Sequence, residues 1–286
     1  MVQTLGPEDS LEVNRLVSKA FGYIPPHSFF DDFPVWDLTL HPKGFGQDTQ
    51  VSYGIKVNQT LVAHVGARIA ELNTPLGTEK IGLIGAVATD AFSRGKGYST
   101  TLLKQAIHHL ESHQCKWQIL WGSEHDFYAK LGFTLQGVQA RGFLKELWST
   151  PPLLKSREIT TEMDESIFKF LNHAPLGLKI GPQDRQWVYS QKTISWSWIE
   201  NPFAFVAFGK GMDMGHIVHE FGGERESLLI LLHALFEKDP FVQVIGTPQS
   251  LIQLGFEKDL LIRESLGLIR GQGWQDDFWI SGLGAC

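Results

Sequence analysis

The stretch from Ile81 to Ser99 constrains this chain more than any other. An apolar, β-prone run, Ile81-Gly-Leu-Ile-Gly-Ala-Val-Ala-Thr89, gives way to Asp90-Ala-Phe-Ser and then to Arg94-Gly95-Lys96-Gly97-Tyr98-Ser99. Beyond it, Leu102, Leu103, Ala106, Ile107 and Leu110 fall on one face of a helix. The unit is strand, glycine turn, helix. The first amides of a helix have no partner within it and carry the positive end of its dipole. Glycines let a ligand approach the backbone, and Arg94 and Lys96 add positive charge. The unit is therefore a candidate phosphate site, with a tight turn bearing solvated cations as the alternative. A P-loop needs Ser or Thr after its Lys, and Lys96 is followed by Gly97. A dinucleotide fingerprint needs a third glycine where Thr100 stands.

The loop resembles Arg/Gln-x-x-Gly-x-Gly/Ala, the pyrophosphate signature of the GCN5-related N-acetyltransferases (GNAT). Arg94, Gly97 and Ser99 occupy its three specified positions, Ser99 being small but neither Gly nor Ala. About thirty residues on, Phe127-Tyr128-Ala129-Lys130-Leu131-Gly132-Phe133 resembles the family's second signature, a helix that carries Phe-Tyr and ends at Gly-Phe. The pair, in this order, is more specific than either motif alone, and the resemblance covers residues 1–148.

The resemblance implies an α/β (α+β) fold, a mixed and mostly antiparallel sheet flanked by helices. It also implies acetyl-CoA as acyl donor. The pyrophosphate would rest among Arg94, Gly95, Lys96, Gly97, Tyr98, Ser99 and Thr100. The pantetheine arm would run beside the backbone of Val87, Ala88 and Thr89, whose amides can orient the thioester carbonyl. An acceptor amine, neutral when it reacts, attacks directly. Tyr128 stands where the family's general acid stands, ready to protonate the leaving thiolate. The base stays open: Glu124 is the named candidate, with Glu71, His125 and a water chain as alternatives. The family's Asn seven residues before the Tyr is Trp121 here. The aromatic, acidic segment Ile24–Trp36 corresponds to the family's acceptor wall, so Asp31, Asp32 and Trp36 are candidates to meet a cationic amine. A solvated helix start with a core Trp is the alternative.

Along the chain, Pro7-Glu8-Asp9-Ser10 opens a helix that Gly22 ends. Val51–Val57 and Leu61–Leu72 read as strands joined at Asn58-Gln59, and Lys80–Thr89 as the next strand. A helix is expected over 98–113, a strand over Trp117–Trp121, a helix over 124–131, and one or two closing strands over Phe133–Leu147, interrupted near Gly137. Thr150-Pro151-Pro152 is the expected linker. It divides the chain of 286 residues into 1–149, the acetyltransferase domain, and 150–286.

The second half echoes the first. Met214–Phe221 is a strand candidate, Gly222-Gly223 a turn, Ser227–Phe236 an apolar helix, Phe241–Ile245 a strand, and Leu254-Gly255-Phe256 matches Leu131-Gly132-Phe133. It reads as a diverged copy without the cofactor motif. Glu224 and Glu226 stand at the helix start, where they would repel a pyrophosphate, and Leu251 replaces the tyrosine. A chance echo of a common βαβ order is the alternative. The layout also resembles the tandem "enhanced intracellular survival" acetyltransferases, in which a C-terminal carboxylate reaches the active site, so the Cys286 carboxylate is a further candidate.

The net charge of −6 argues against a nucleic-acid partner and suits a cationic small molecule or peptide amine. With no basic-then-apolar leader and no apolar run of about 18 residues, a cytoplasmic, reducing location without a membrane is expected. Cys115 reads as a buried thiol. No metal is expected, since His108, His109 and His113 lie on a helix without further ligands. Oligomeric state is not legible. The readings that remain are an acetyl-CoA-dependent N-acetyltransferase and a non-catalytic acyl-CoA-binding or interaction module that kept the fold.

Overall fold

The computed structural model describes residues 1–40, 49–148, 157–174, 176–211, 214–276 and 278–284. The first half supplies β1 (Val2–Thr4), α1 (Ser10–Ala20), α2 (Phe29–Asp32), β2 (Gln50–Val57), β3 (Thr60–Thr74), β4 (Gly77–Thr89), α3 (Tyr98–Ser112), β5 (Trp117–Leu120), α4 (His125–Ala129), β6 (Thr134–Phe143) and α5 (Leu144–Leu147). The second supplies α6 (Glu165–Asn172), β7 (Gly177–Lys179), α7 (Arg185–Tyr189), β8 (Ser195–Ile199), β9 (Ala204–Phe208), β10 (Ile217–Gly223), α8 (Arg225–Lys238), β11 (Gln243–Gly246), α9 (Pro248–Leu254) and β12 (Ile262–Arg270).

β2, β3 and β4 form the antiparallel series read from the sequence. Asn58 and Gln59 make the tight hairpin turn with φ of 49° and 65°. β1, β7, α6 and the β8–β9 pair are further elements that the sequence pattern does not announce. The stretch expected to break near Gly137 is one strand, β6, which runs through Gly137 and ends in α5.

All the strands join one sheet, in the order β1-β2-β3-β4-β5-β12-β6-β11-β10-β9-β8, with β7 beside β3. β5 runs parallel to β4, as β11 does to β10, and the other pairings are antiparallel. The two halves exchange their closing strands. β12, from the second half, lies between β5 and β6, while β6, from the first, lies between β12 and β11. The sheet thus runs unbroken past the expected boundary at 149, and the expected linker at 150–152 lies outside the described residues.

α3 covers one face of the first half's sheet, burying Leu102, Leu103, Ala106 and Leu110 against Val65, Ala67, Ile84 and Leu268. The opposite face meets α1, α2 and the second half through Trp36, Phe168, Trp187 and Phe205. Farther along that face, Phe278 and Ile280 from the C-terminal segment pack on Leu72, Leu83 and Trp117. Each fully buried side chain of this size contributes roughly 1.5–3 kcal/mol. Among the described residues no helix is long and apolar enough to cross a membrane.

Candidate active site

β4 and β5 pair only at Ile81–Leu83 with Trp117–Ile119. Beyond that point the strands part, and the stretch 84–89 of β4 has no strand on its β5 side. Alternate backbone groups of a strand point to each side, so the amides and carbonyls turned away from β3 line the resulting cleft.

A bulge interrupts β4 inside this cleft. Gly66 faces Gly85 and His64 faces Ala88, so Ala86 and Val87 together oppose one residue of β3. Ala86 takes φ +52°, the left-handed region that disfavours a side chain. His64 holds it there, donating from Nδ1 to the Ala86 carbonyl at 2.8 Å. His64 is wholly buried, and burial lowers its pKa to about 4, so the imidazole is neutral at pH 7.

At the end of β4 the chain turns into α3. The Asp90 carboxylate accepts from the Phe92 amide and pairs with Lys19 at 3.0 Å, and chiefly that lysine holds it below its ordinary range. The Thr89 and Ser99 hydroxyls, 2.5 Å apart, tie the strand end to the helix start. Gly97 is the residue before the helix, at φ +77°, and no side chain caps α3. The first intrahelical bond of this turn runs from the Thr101 amide to the Gly97 carbonyl, so the amides of residues 98–100 stay open. A Cβ placed on Gly97 would meet nothing within 4 Å. Arg94, Gly95, Lys96 and Gly97 are exposed around this cradle. The fit to a pyrophosphate is good: uncapped amides, open space, two cations and a positive helix end.

Tyr128, on α4, is buried at the far side of the cleft, its ring against Gly122 just beyond β5. A Cβ on Gly122 would sit 2.8 Å from the ring, so only glycine permits this approach. Burial, and then the nearby Glu124 charge, raise the phenol above its ordinary pKa of 10.0. Among the described residues no group hydrogen-bonds the hydroxyl. Glu124 is exposed just before α4, and its backbone carbonyl accepts from the Tyr128 amide. His125 is exposed beside it. Glu71 is placed elsewhere: it pairs with Lys80 at the opposite end of β4 and bonds Lys179 at 2.6 Å. Lys80 is six residues before the Ala86 bulge, roughly 20 Å at about 3.3 Å per residue, which takes Glu71 out of reach of the cleft as a base.

The expected acceptor wall is committed to protein contacts. Asp31 pairs with Lys192 at 2.7 Å and accepts from the Ser28 amide. Against the burial that would raise its pKa, these bonds hold the carboxyl below its usual range. Asp32 is buried and accepts from the hydroxyls of Tyr23 and Thr193. Trp36 is wholly buried, its ring over Gly66. These three side chains seal the seam between the halves rather than presenting free charge to an amine. Trp121 is committed too, its indole N–H donating to Leu266 O of β12 at 2.8 Å.

In the second half, β10 and β11 pair only at Ile217–Val218 with Gln243–Val244 before parting, with α8 between them in sequence. There the helix start is filled, because the Glu224 carboxylate accepts from the Ser227 amide at 2.9 Å. Among the described residues no three His, Cys, Asp or Glu side chains group as a metal site. Cys115 is buried and its thiol is pushed up to about 11, chiefly by burial. Cys286 lies outside the described residues.

The acetyltransferase (GNAT) domain model matches residues 2–136, a span that holds the parted strands, the loop and Tyr128. The N-terminal half is a GNAT acetyltransferase domain. No curated protein matches the chain by sequence. Solved structures match it by fold. A conserved protein of unknown function from Enterococcus faecalis V583 superposes with a TM-score of 0.64 at 16% identity, over 94% of this chain and 71% of that one. Eis1 from Mycobacterium abscessus gives 0.62 at 12%, over 94% and 73%. A GCN5-related N-acetyltransferase from Kribbella flavida gives 0.62 at 16%, over 94% and 69%. These superpositions take in most of both halves of the chain. At such identities the likeness is one of fold.

The sequence carries one faint sign of His64 and the β4 bulge, a single histidine inside the apolar run Leu61–Val65. The GNAT loop and the Tyr128 helix, by contrast, stand where their motifs placed them in the chain.

Proposed function

We propose that this chain transfers an acetyl group from acetyl-CoA to an amine of a small molecule or peptide by direct attack. The observation that carries this reading is the uncapped start of α3, beside the unpaired length of β4 and across a cleft from the Tyr128 hydroxyl. Acetyl-CoA supplies an activated acyl thioester. The amides of residues 98–100, with Arg94, Gly95, Lys96 and Gly97, hold its pyrophosphate. The backbone groups of Val87, Ala88 and Thr89 that turn away from β3 align the pantetheine arm, and an amide of this stretch polarises the thioester carbonyl. Tyr128 keeps its proton at neutral pH and delivers it to the departing thiolate. Glu124, exposed to water just before α4, is the candidate to take the proton from the amine, directly or through a water. The second half reads as a GNAT-like domain whose cofactor position is closed by Glu224. It buttresses the acceptor side through Lys192 and Thr193.

Calorimetric titration of acetyl-CoA tests the cofactor site. Wild type should bind in the micromolar range, and Gly97→Glu should lose binding, because it puts a carboxylate among the open amides. Absence of binding to wild type overturns the reading. Tyr128→Phe should keep cofactor affinity within about twofold and lose on the order of 100-fold in kcat against a reactive amine. Full retention of turnover in that variant would leave the acid role without support.

A further inference from the structure

β12 brings one cation of the second half into the first. Arg270 stands opposite Gln118 in the β12–β5 register. Its guanidinium contacts three elements of the first half at once. Nε donates to the Leu131 carbonyl at 3.2 Å. Nη1 donates to Glu111 Oε1 at 2.6 Å and to Gln118 Oε1 at 2.7 Å. Glu111 lies near the end of α3, Gln118 is buried on β5, and Leu131 closes the turn that follows α4.

That turn belongs to Tyr128. Its carbonyl accepts from the Leu131 amide at 2.9 Å and the Phe133 amide at 3.2 Å. α4 has five residues, too few to hold a helix by itself. The Tyr128 and Ala129 carbonyls at its end accept from the amides of Leu131, Gly132 and Phe133, so the turn closes α4. Arg270 bonds the Leu131 carbonyl of that turn and fixes it to β5 and α3 in a forked geometry that a lysine cannot reproduce. The second half handles its matching Leu-Gly-Phe turn in the same way: Arg225 Nη2 donates to the Leu254 carbonyl at 2.9 Å.

We propose that Arg270 is a positioning residue for Tyr128, so that a strand contributed by the second half orients the acid group of the first. The inference rests on the acetyltransferase reading for its catalytic consequence, but its structural content can be read without turnover. The experiment uses the full chain labelled with 13C at tyrosine Cζ, as wild type, Tyr128→Phe, Arg270→Gln, Arg270→Lys and Glu111→Gln. The resonance missing from Tyr128→Phe identifies Tyr128. Its titration is followed from pH 8 to 11.5.

In Arg270→Gln the loosened turn admits water to the phenol. Its midpoint should then fall by about half a pH unit or more toward the ordinary value. Arg270→Lys should fall between the two. Glu111→Gln, which leaves the Leu131 contact in place, should match wild type. A double-mutant cycle gives the catalytic readout. Arg270→Gln should lower kcat about tenfold when Tyr128 is present and less than twofold in the Tyr128→Phe background, with acetyl-CoA affinity within about twofold throughout. An unmoved Tyr128 resonance, or equal loss in both backgrounds, overturns the proposal. If Arg270→Gln fails to fold, a wild-type midpoint in Arg270→Lys overturns it and an intermediate one supports it. If the chain has no transferase activity at all, the acetyltransferase reading fails while the resonance test still decides the placement of Tyr128.

Discussion

His64 shows how much a single side chain can set at this site. Its Nδ1–H satisfies the carbonyl of Ala86, a residue in a conformation that costs roughly 1–3 kcal/mol. His64→Asn keeps a donor at nearly the same reach and should retain cofactor binding. His64→Phe leaves the carbonyl buried without a partner and should lower stability to urea by about 1–3 kcal/mol, with weaker acetyl-CoA binding in calorimetry. The buried titratable groups also give the stability a pH profile. Burial lowers His64 to about 4, and burial together with the Lys210 charge lowers His219 to about 3, so the unfolded chain binds protons at these sites that the native chain refuses. Their contribution is complete above pH 6.5 and is lost as pH falls. Glu220 is raised by burial to about 7, so the native chain holds its proton where the unfolded one has released it, and that contribution is lost as pH rises. Two histidines outweigh one carboxyl, so stability should rise with pH between 5 and 6.5, by about 1 kcal/mol per pH unit from these groups. Glu220→Gln should steepen the slope. Urea midpoints at three pH values check both, and a flat profile would contradict the signs. At this scale the sequence is a poor guide where partners are remote. Asp31 and Asp32 look like free acids locally, yet their partners Lys192 and Thr193 lie 161 residues away along the chain.

Elements whose purpose is local were the most legible. α3 could be read because its apolar face repeats along one helix and its glycine start is contiguous with it. α4 could be read because Phe-Tyr and Gly-Phe flank one short turn. β2 to β4 were legible from β-prone runs and one tight turn. The β4 bulge was not, since it comes from the register between two strands rather than from either strand's own pattern. The small elements α6, α7 and β7 to β9 were missed because their stability comes from packing across the seam. One tie among these elements can be measured. Arg68 of β3 makes a buried ion pair with Asp184, just before α7. The other oxygen of Asp184 accepts from the Gly181 amide at 2.8 Å, and the Trp187 indole donates to the carboxylate at 3.0 Å. Asp184→Ala strands the guanidinium and two donors in the interior and should cost about 3–5 kcal/mol in denaturant unfolding. Replacing Arg68 and Asp184 together by Met and Leu should recover part of that loss, since no charge is then left unpaired, while the Gly181 amide and the Trp187 indole still lack their acceptor.

The molecule as a whole is defined by the exchange of β6 and β12, and here local reading stops altogether. Ile262–Arg270 has an exposed first half and a buried second half, and nothing in that pattern says it belongs beside Ile119 rather than beside its own neighbours in sequence. A polypeptide ending at Trp148 retains every GNAT motif and every residue assigned to the cofactor. It lacks β12, however, so β5 and β6 have no strand between them, and Leu268 is missing from the core under α3. It would also expose the β3–β4 face that the C-terminal segment covers, including Leu72 and Leu83. Unpaired apolar edges of this kind recruit other chains. The truncated polypeptide should therefore sediment as aggregates and unfold without a cooperative transition in urea, whereas the full chain should unfold cooperatively. Co-expression of residues 157–286 as a separate polypeptide should restore a soluble 1:1 complex, because that piece carries β12 and offers β11 for β6 to join. A cooperative, monomeric 1–148 polypeptide that binds acetyl-CoA as tightly as the full chain would mean that the first half closes its own sheet, and that the strand exchange is an ornament of the fold rather than a condition of its site.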